Sequence, residues 1–329
     1  MRRLFPLLVV FLTLSACAVP ETVPPGPPTG PPSLSDTVFT TSDGAALPMR
    51  RWMPETGKPK AVILALHGFN DYSNFFDAPG KFLAQLGIAS YAYDQRGFGS
   101  APNRGLWPGI EAFSNDLKAA TRLIRARHPT APVYLLGASM GGAVVLVSMA
   151  GPNPPAVDGV ILSAPAVWGR ETMPWYQTAG LWIAAHTMPS VTVTGRGLKI
   201  RPSNNIEMLR ALGRDPLVIK KTRIDTIYGL VNLMDAALDA AGKFTTPALI
   251  LYGGKDQIIP KRSTGLMVDR LGNRQANHQR FAFYKDRYHM LLRDLQAQTV
   301  WKDLAAWIEN GDAPLPSAAD GGKGDLAAK

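Results

Sequence analysis

Val133-Tyr134-Leu135-Leu136-Gly137-Ala138-Ser139-Met140-Gly141-Gly142-Ala143 is the stretch whose reading decides the fold. Its first four residues form an apolar, strand-like run, and the small residues that close it open a helical pattern. Between the two stands a serine framed by glycines in the spacing G-x-S-x-G. A strand turning sharply into a helix holds such a serine clear of the sheet, and the flanking glycines remove side chains that would clash in the strained turn. A serine hydroxyl is a poor nucleophile until a neighbouring base takes its proton, so the rest of the chain must supply that base. Ser139 is the candidate nucleophile. Ser163 also follows a strand-like run but lacks the glycine frame and reads as structural.

Outward from the elbow, strand-like runs and helical patterns alternate. Residues 38–41 and 47–52 flank Ser42-Asp43-Gly44 and predict an antiparallel hairpin at one edge. Further strands are expected at 61–66, 90–94, 133–136, 159–163, 248–252 and 280–284. Several are continuous apolar runs, as strands covered on both faces require. A helix over 110–127 places Phe113, Leu117, Ala120, Leu123 and Ile124 on one face, and one over 290–309 does the same with Leu292, Leu295, Leu304, Trp307 and Ile308. The alternation predicts an α/β fold, a mostly parallel central sheet with helices on both faces. Residues 165–245 break the rhythm. Rich in Trp, Met, Pro and Gly and ending in an amphipathic segment over 223–241, they read as an inserted, mainly helical cap between core segments 36–164 and 246–310.

Three motifs taken together resemble a known family. His67-Gly68-Phe69, Asp94-Gln95-Arg96-Gly97-Phe98-Gly99-Ser100 and Gly137-Ala138-Ser139-Met140-Gly141-Gly142 are similar to the monoacylglycerol lipase and lysophospholipase branch of the α/β hydrolases, a group of the serine aminopeptidase S33 type. The likeness runs over about residues 39–308. The branch usually has His or Tyr where Ala138 stands and His where Phe98 stands. The resemblance implies an α/β-hydrolase fold and a triad in the chain order Ser, acid, His. Gly253-Gly254-Lys255-Asp256-Gln257-Ile258-Ile259-Pro260 resembles the acid loop of the family, which makes Asp256 the acid; Asp269, in an expected helix, and Asp286, three residues before a histidine, read as surface charge. His289 follows the last strand, with Asp294 five residues beyond it as the family often shows, and is the implied base. His278 is the weaker alternative, His128 closes a helix and His186 belongs to the cap. The backbone N–H groups of Phe69 and Met140 are the implied oxyanion donors. His67 precedes the nucleophile and is expected to shape the loop, while Asp94 and Arg96 are expected to lock a turn.

The ends of the chain carry a different message. Met1-Arg2-Arg3, an apolar run over 4–14 and Leu14-Ser15-Ala16-Cys17 read as a signal peptide of residues 1–17 ending in a lipobox. The run is far shorter than the roughly 20 residues of a spanning helix. Lipidation at Cys17 would anchor the protein in a bacterial cell envelope, with Ala18 favouring the outer membrane; an ordinary cleaved signal is the alternative. Cys17 is the one cysteine in the sequence, so disulfides, cysteine metal sites and thiol nucleophiles are excluded from the rest. A proline-rich tether is expected over 18–35 and a disordered tail over 311–329. The formal charge of +10 is scattered rather than blocked, and no pattern for nucleic acid is present.

These readings converge on a serine hydrolase without metal or organic cofactor, acting on a carboxylic ester such as a monoacylglycerol or lysophospholipid. Trp168, Met173, Trp175, Tyr176, Trp182, Ile183 and Met188 of the cap could line an acyl tunnel or simply pack the cap on the body. An acyltransferase, or a carbon–carbon or peptide-bond hydrolase, would use the same triad. A lipoprotein that only binds acyl ligands or partner proteins is the reading of another class.

Overall fold

The computed structural model describes residues 18–321, so the expected signal sequence with Cys17 lies outside the described residues. The strands are β1 (Ser33–Leu34), β2 (Val38–Thr40), β3 (Ala46–Trp52), β4 (Ala61–Leu66), β5 (Ile88–Tyr93), β6 (Val133–Ala138), β7 (Gly159–Ser163), β8 (Thr192–Val193), β9 (Thr222–Arg223), β10 (Ala248–Gly253) and β11 (Gln279–Tyr284). All but β8 and β9 form one nine-stranded sheet in the order β1-β2-β3-β5-β4-β6-β7-β10-β11. From β5 to β11 every pairing is parallel, while β1, β2 and β3 add an antiparallel margin. The helices are α1 (Asp77–Gln85), α2 (Ile110–Arg127), α3 (Met140–Ala150), α4 (Trp175–Thr187), α5 (Ile206–Arg214), α6 (Ile224–Ala240), α7 (Lys261–Arg270) and α8 (Ala297–Glu309).

Strand β4 shows why its sequence is continuously apolar. Successive side chains point to opposite faces, so Val62, Leu64 and Leu66 enter one core cluster while Ala61, Ile63 and Ala65 enter the other. The first cluster is closed by α2, α3, α6 and α7, the second by α1 and α8. Helix α3 is buried nearly all round because α2 and α6 pack on it from outside while the sheet lies beneath. This is the α/β-hydrolase architecture expected from the motifs.

Residues 165–245 hold α4, the β8–β9 pair, α5 and α6. Three expectations need correction. The last helix begins at Ala297 instead of residue 290. The preceding segment is held as turns by Asp294, which accepts from Gln296 N–H at 2.9 Å and pairs with buried Arg287 at 3.1 Å, so Leu295 is left 68% exposed instead of joining Leu292 on an inner face. Residues 311–321 are packed where disorder was expected: Leu315 is buried, Ala319 C=O accepts from Phe283 N–H at 2.9 Å, and Asp320 pairs with Arg280. The proline-rich stretch lies against the body as a strap, with Thr29 N–H donating to Ser42 C=O at 2.7 Å and Val23 N–H to Trp107 C=O at 2.8 Å.

Candidate active site

The register brings the carboxyl ends of four strands to one level. Leu66 of β4 pairs with Gly137 of β6, Ala138 of β6 with Ser163 of β7, and Gly253 of β10 with Tyr284 of β11. Open α/β sheets bind ligands at this end. Ser139 stands just past β6 with φ 51° and ψ −115°, a left-handed conformation that is sparsely populated for a residue with a Cβ. Its backbone is locked from both sides. The N–H donates to Ser163 C=O at 2.9 Å, and the C=O accepts from Gly142 N–H and Ala166 N–H, both at 2.9 Å. The glycine frame is a packing requirement: a Cβ on Gly137 would lie 2.5 Å from Gly141 C=O, and one on Gly141 would strike the Leu66 carbonyl.

Asp256 follows β10 on a loop pinned by Tyr252, whose hydroxyl donates to Ile259 C=O at 2.9 Å. One carboxylate oxygen of Asp256 accepts from the N–H groups of Ile258 and Ile259 at 2.7 and 3.0 Å; the other lies 2.7 Å from Nδ1 of His289. With both oxygens committed and the side chain fully buried, Asp256 fixes the imidazole and leaves Nε2 for other partners. His289 and Ser139 line the same cavity, about 470 Å³, at the end of the sheet. Phe69 follows β4 and Met140 opens α3. Neither donates its backbone N–H to a protein acceptor among the described residues, which for Met140 follows from its place at a helix start.

The residues read as structural are accounted for. His67 is fully buried; its Nε2 accepts from Gln95 N–H at 2.9 Å and its Nδ1 lies 2.8 Å from Gly68 C=O. Burial pushes this imidazole below its ordinary pKa, which keeps it neutral and fixes Nδ1–H as the donor. Asp94 accepts from Ser73 N–H and Ser100 N–H at 2.9 Å, and Arg96 is forked between Asp43 and Asp116 at 2.6 Å. Asp286 pairs with Lys255 at 2.8 Å on the surface and Asp269 is exposed on α7. His128 takes Tyr91 Oη at 2.8 Å, His186 lies on α4, and His278 is exposed 3.5 Å from Asp312.

A sequence model of the family described as serine aminopeptidase, S33, matches residues 57–296. The chain belongs to that family. A monoacylglycerol lipase of Mycolicibacterium smegmatis is 26% identical over 276 residues, covering 83% of this chain and 96% of the relative. The human monoglyceride lipase is 25% identical, with 85% of this chain and 92% of the relative covered. In fold, the chain is similar to a soluble variant of the Saccharomyces cerevisiae monoglyceride lipase solved with a substrate analog, with TM-score 0.69, 21% identity, and 89% and 98% of the two chains covered. A Paleococcus ferrophilus monoacylglycerol lipase gives TM-score 0.64 at 20% identity over 80% of this chain and 99% of the other. Family, fold and relatives together make the chain a serine ester hydrolase of the monoacylglycerol-lipase-like type.

In this S33-family chain the cavity wall differs from the expected one. Trp168 and Met173 line it, whereas Trp175, Tyr176, Trp182, Ile183 and Met188 face outward and are exposed. The cap contributes instead Ile227, Leu230, Val231 and Met234 of α6, the i, i+3, i+4, i+7 stripe of the amphipathic segment. Asp71 and Arg293, joined as an ion pair, and Gln257 supply polar wall. Asp71 and Arg293 are 222 residues apart in sequence, and no local pattern marks them.

Proposed function

We propose that the chain hydrolyses carboxylic esters of an acyl chain with a small polar alcohol, a monoacylglycerol or a lysophospholipid, through Ser139, Asp256 and His289. The observation that carries this reading is the 2.7 Å bond between His289 Nδ1 and Asp256, made on the wall of an apolar cavity that Ser139 also lines. In the reaction, His289 Nε2 accepts the Ser139 proton as Oγ attacks the ester carbonyl. The N–H groups of Phe69 and Met140 receive the developing oxyanion. The tetrahedral intermediate expels the alcohol, which leaves with the proton held by His289. Water, giving its proton to the same nitrogen, then attacks the acyl-enzyme, and collapse returns Ser139 and releases the acid. Asp256 stabilises the imidazolium at each stage without taking its proton. The apolar wall from α6 suits the acyl chain, and the Asp71–Arg293 pair suits the hydroxyl-bearing alcohol.

The test is a panel of p-nitrophenyl esters, monoacylglycerols and lysophospholipids, run on the parent and on Ser139→Ala. The parent is expected to cleave esters with long acyl chains, and the variant to lose at least about 10³-fold in kcat, as loss of a triad serine does. A parent that cleaves no ester and takes no label from a fluorophosphonate probe would leave an acyl-binding scaffold in place of an enzyme.

A further inference from the structure

The tip of the oxyanion loop, Phe69 and Asn70, is hydrogen-bonded to the cap and not to the core. Gly68 passes so near the nucleophile that a Cβ on it would lie 3.3 Å from that of Ser139. Beyond it, among the described residues, the main chain of Phe69 and Asn70 makes one hydrogen bond, in which Ile219 N–H of the cap donates to Asn70 C=O at 3.0 Å. Asn70 has φ 64°, a left-handed conformation that asparagine adopts more readily than most residues. Its side-chain Nδ2 donates to Thr222 Oγ1 at 2.7 Å, across 152 positions of sequence. Thr222 opens β9 and is buried. Asp71, the next residue of the loop, pairs instead with Arg293 of the core, so the loop is anchored on one side to the core and at its tip to the cap.

The Asn70 amide has nothing else to hold it. Its Oδ1 is buried without a partner among the described residues, which leaves the Thr222 hydroxyl as the one group that fixes the side chain. A second tie runs parallel, from Tyr72 Oη to the Asp215 carboxylate at 2.7 Å. Burial, with that carboxylate beside it, pushes the Tyr72 pKa up to about 12, so the hydroxyl keeps its proton and remains the donor. The cap segment that receives these ties is closed on itself: Asp215 accepts from Leu217 N–H at 2.9 Å, and Lys220 Nζ donates to Val218 C=O at 3.0 Å.

We infer that Asn70 is a positioning residue, which ties the oxyanion loop to the cap at Thr222 and so aims the Phe69 N–H at the reacting carbonyl while the cap lies against the loop. The inference rests on the proposed role of Phe69 as oxyanion donor. A donor that meets charge present only in the transition state governs kcat and leaves substrate binding nearly untouched. Loosening the tie therefore has a kinetic signature that a general loss of packing lacks.

The full chain is assayed on p-nitrophenyl butyrate, and its inhibition by butylboronic acid is measured, since the tetrahedral adduct with Ser139 places an oxygen in the oxyanion hole. Thr222→Val removes the hydroxyl with little change of shape, and Asn70→Gly removes the amide while permitting the left-handed backbone. Each is expected to lower kcat about tenfold, part of the 10²–10³ carried by a whole oxyanion donor, with KM within about twofold of the parent. Boronate affinity should fall by the same factor as kcat. Thr222→Ser, which restores the hydroxyl, should return kcat to the parent value, and the double variant should fall no further than either single one. Parent kcat in Thr222→Val or Asn70→Gly, a rise in KM at unchanged kcat, or losses that multiply in the double variant overturns the inference; either single variant decides it where the other does not fold. An active parent that depends on Ser139 keeps the catalytic reading in place through any of these results, whereas a parent without esterase activity or phosphonate labelling removes that reading and this inference together.

Discussion

His67 has both ring nitrogens committed, one to the Gln95 N–H and one to the Gly68 carbonyl, in a fully buried site. Burial depresses its pKa, so the folded chain refuses a proton that the unfolded chain accepts below about 6.5. The unfolded state then binds more protons, and stability falls as pH drops through that value. His67→Gln is expected to lower stability at neutral pH by about 1–3 kcal/mol, the cost of leaving the Gln95 N–H poorly paired. It should also flatten the decline of Tm between about pH 7 and pH 5. Calorimetric Tm values that run parallel for parent and variant across that interval would refute the assignment. At this scale the sequence was informative where a residue sits inside a local motif: Ser139, Asp256 and His289 each follow a strand end, and two of them meet at 2.7 Å. It was silent on Asp71 and Arg293, because an ion pair across 222 residues exists only once the chain has folded.

The elbow is a unit of two elements, β6 and α3, pressed against the end of β4. Gly141 touches the Leu66 carbonyl so closely that any Cβ must move backbone, which cannot yield as a flexible side chain can. Gly141→Ala is expected to destabilise the fold by about 3 kcal/mol, the upper range for overpacking a tight core. It should also slow ester cleavage, because Ser139 and the Phe69 loop would be pushed apart. A urea midpoint unchanged from the parent would contradict this packing. Elements were legible wherever period and burial agree: α2 spans Ile110–Arg127 as the periodicity predicts, and every core strand falls within about two residues of its apolar run. The start of α8 was not, because Leu292 and Leu295 keep helical spacing while the buried Arg287–Asp294 pair holds that segment in turns. Apolar periodicity in α4 likewise gives a stripe without saying which way it faces.

Across the whole molecule, both ends of the described chain are fastened to the body. The tail covers the free margin of β11: Phe283 N–H finds the Ala319 carbonyl, Arg280 finds Asp320, and Leu315 joins the core under α8. Composition averaged over a Gly-, Ala- and Pro-rich tail concealed those few specific contacts. Ending the chain at Asn310 is expected to cost about 2–3 kcal/mol from the loss of one buried leucine side chain alone. It should also expose a sheet edge open to pairing with other chains. Thermal unfolding followed by light scattering checks both; a truncated chain with unchanged midpoint and no added scattering would show the tail to be dispensable. The strap at the other end has a mechanical consequence. A pull on residue 18 is met first by the Ala18 N–H bond to the His186 carbonyl and the Glu21 pair with Arg223, both made to the cap, and only afterwards by the Val23 bond to Trp107 in the core. Tension applied at the beginning of the chain is therefore borne by the cap while the sheet carries no load, and the junction between cap and core is where such a force would first produce movement.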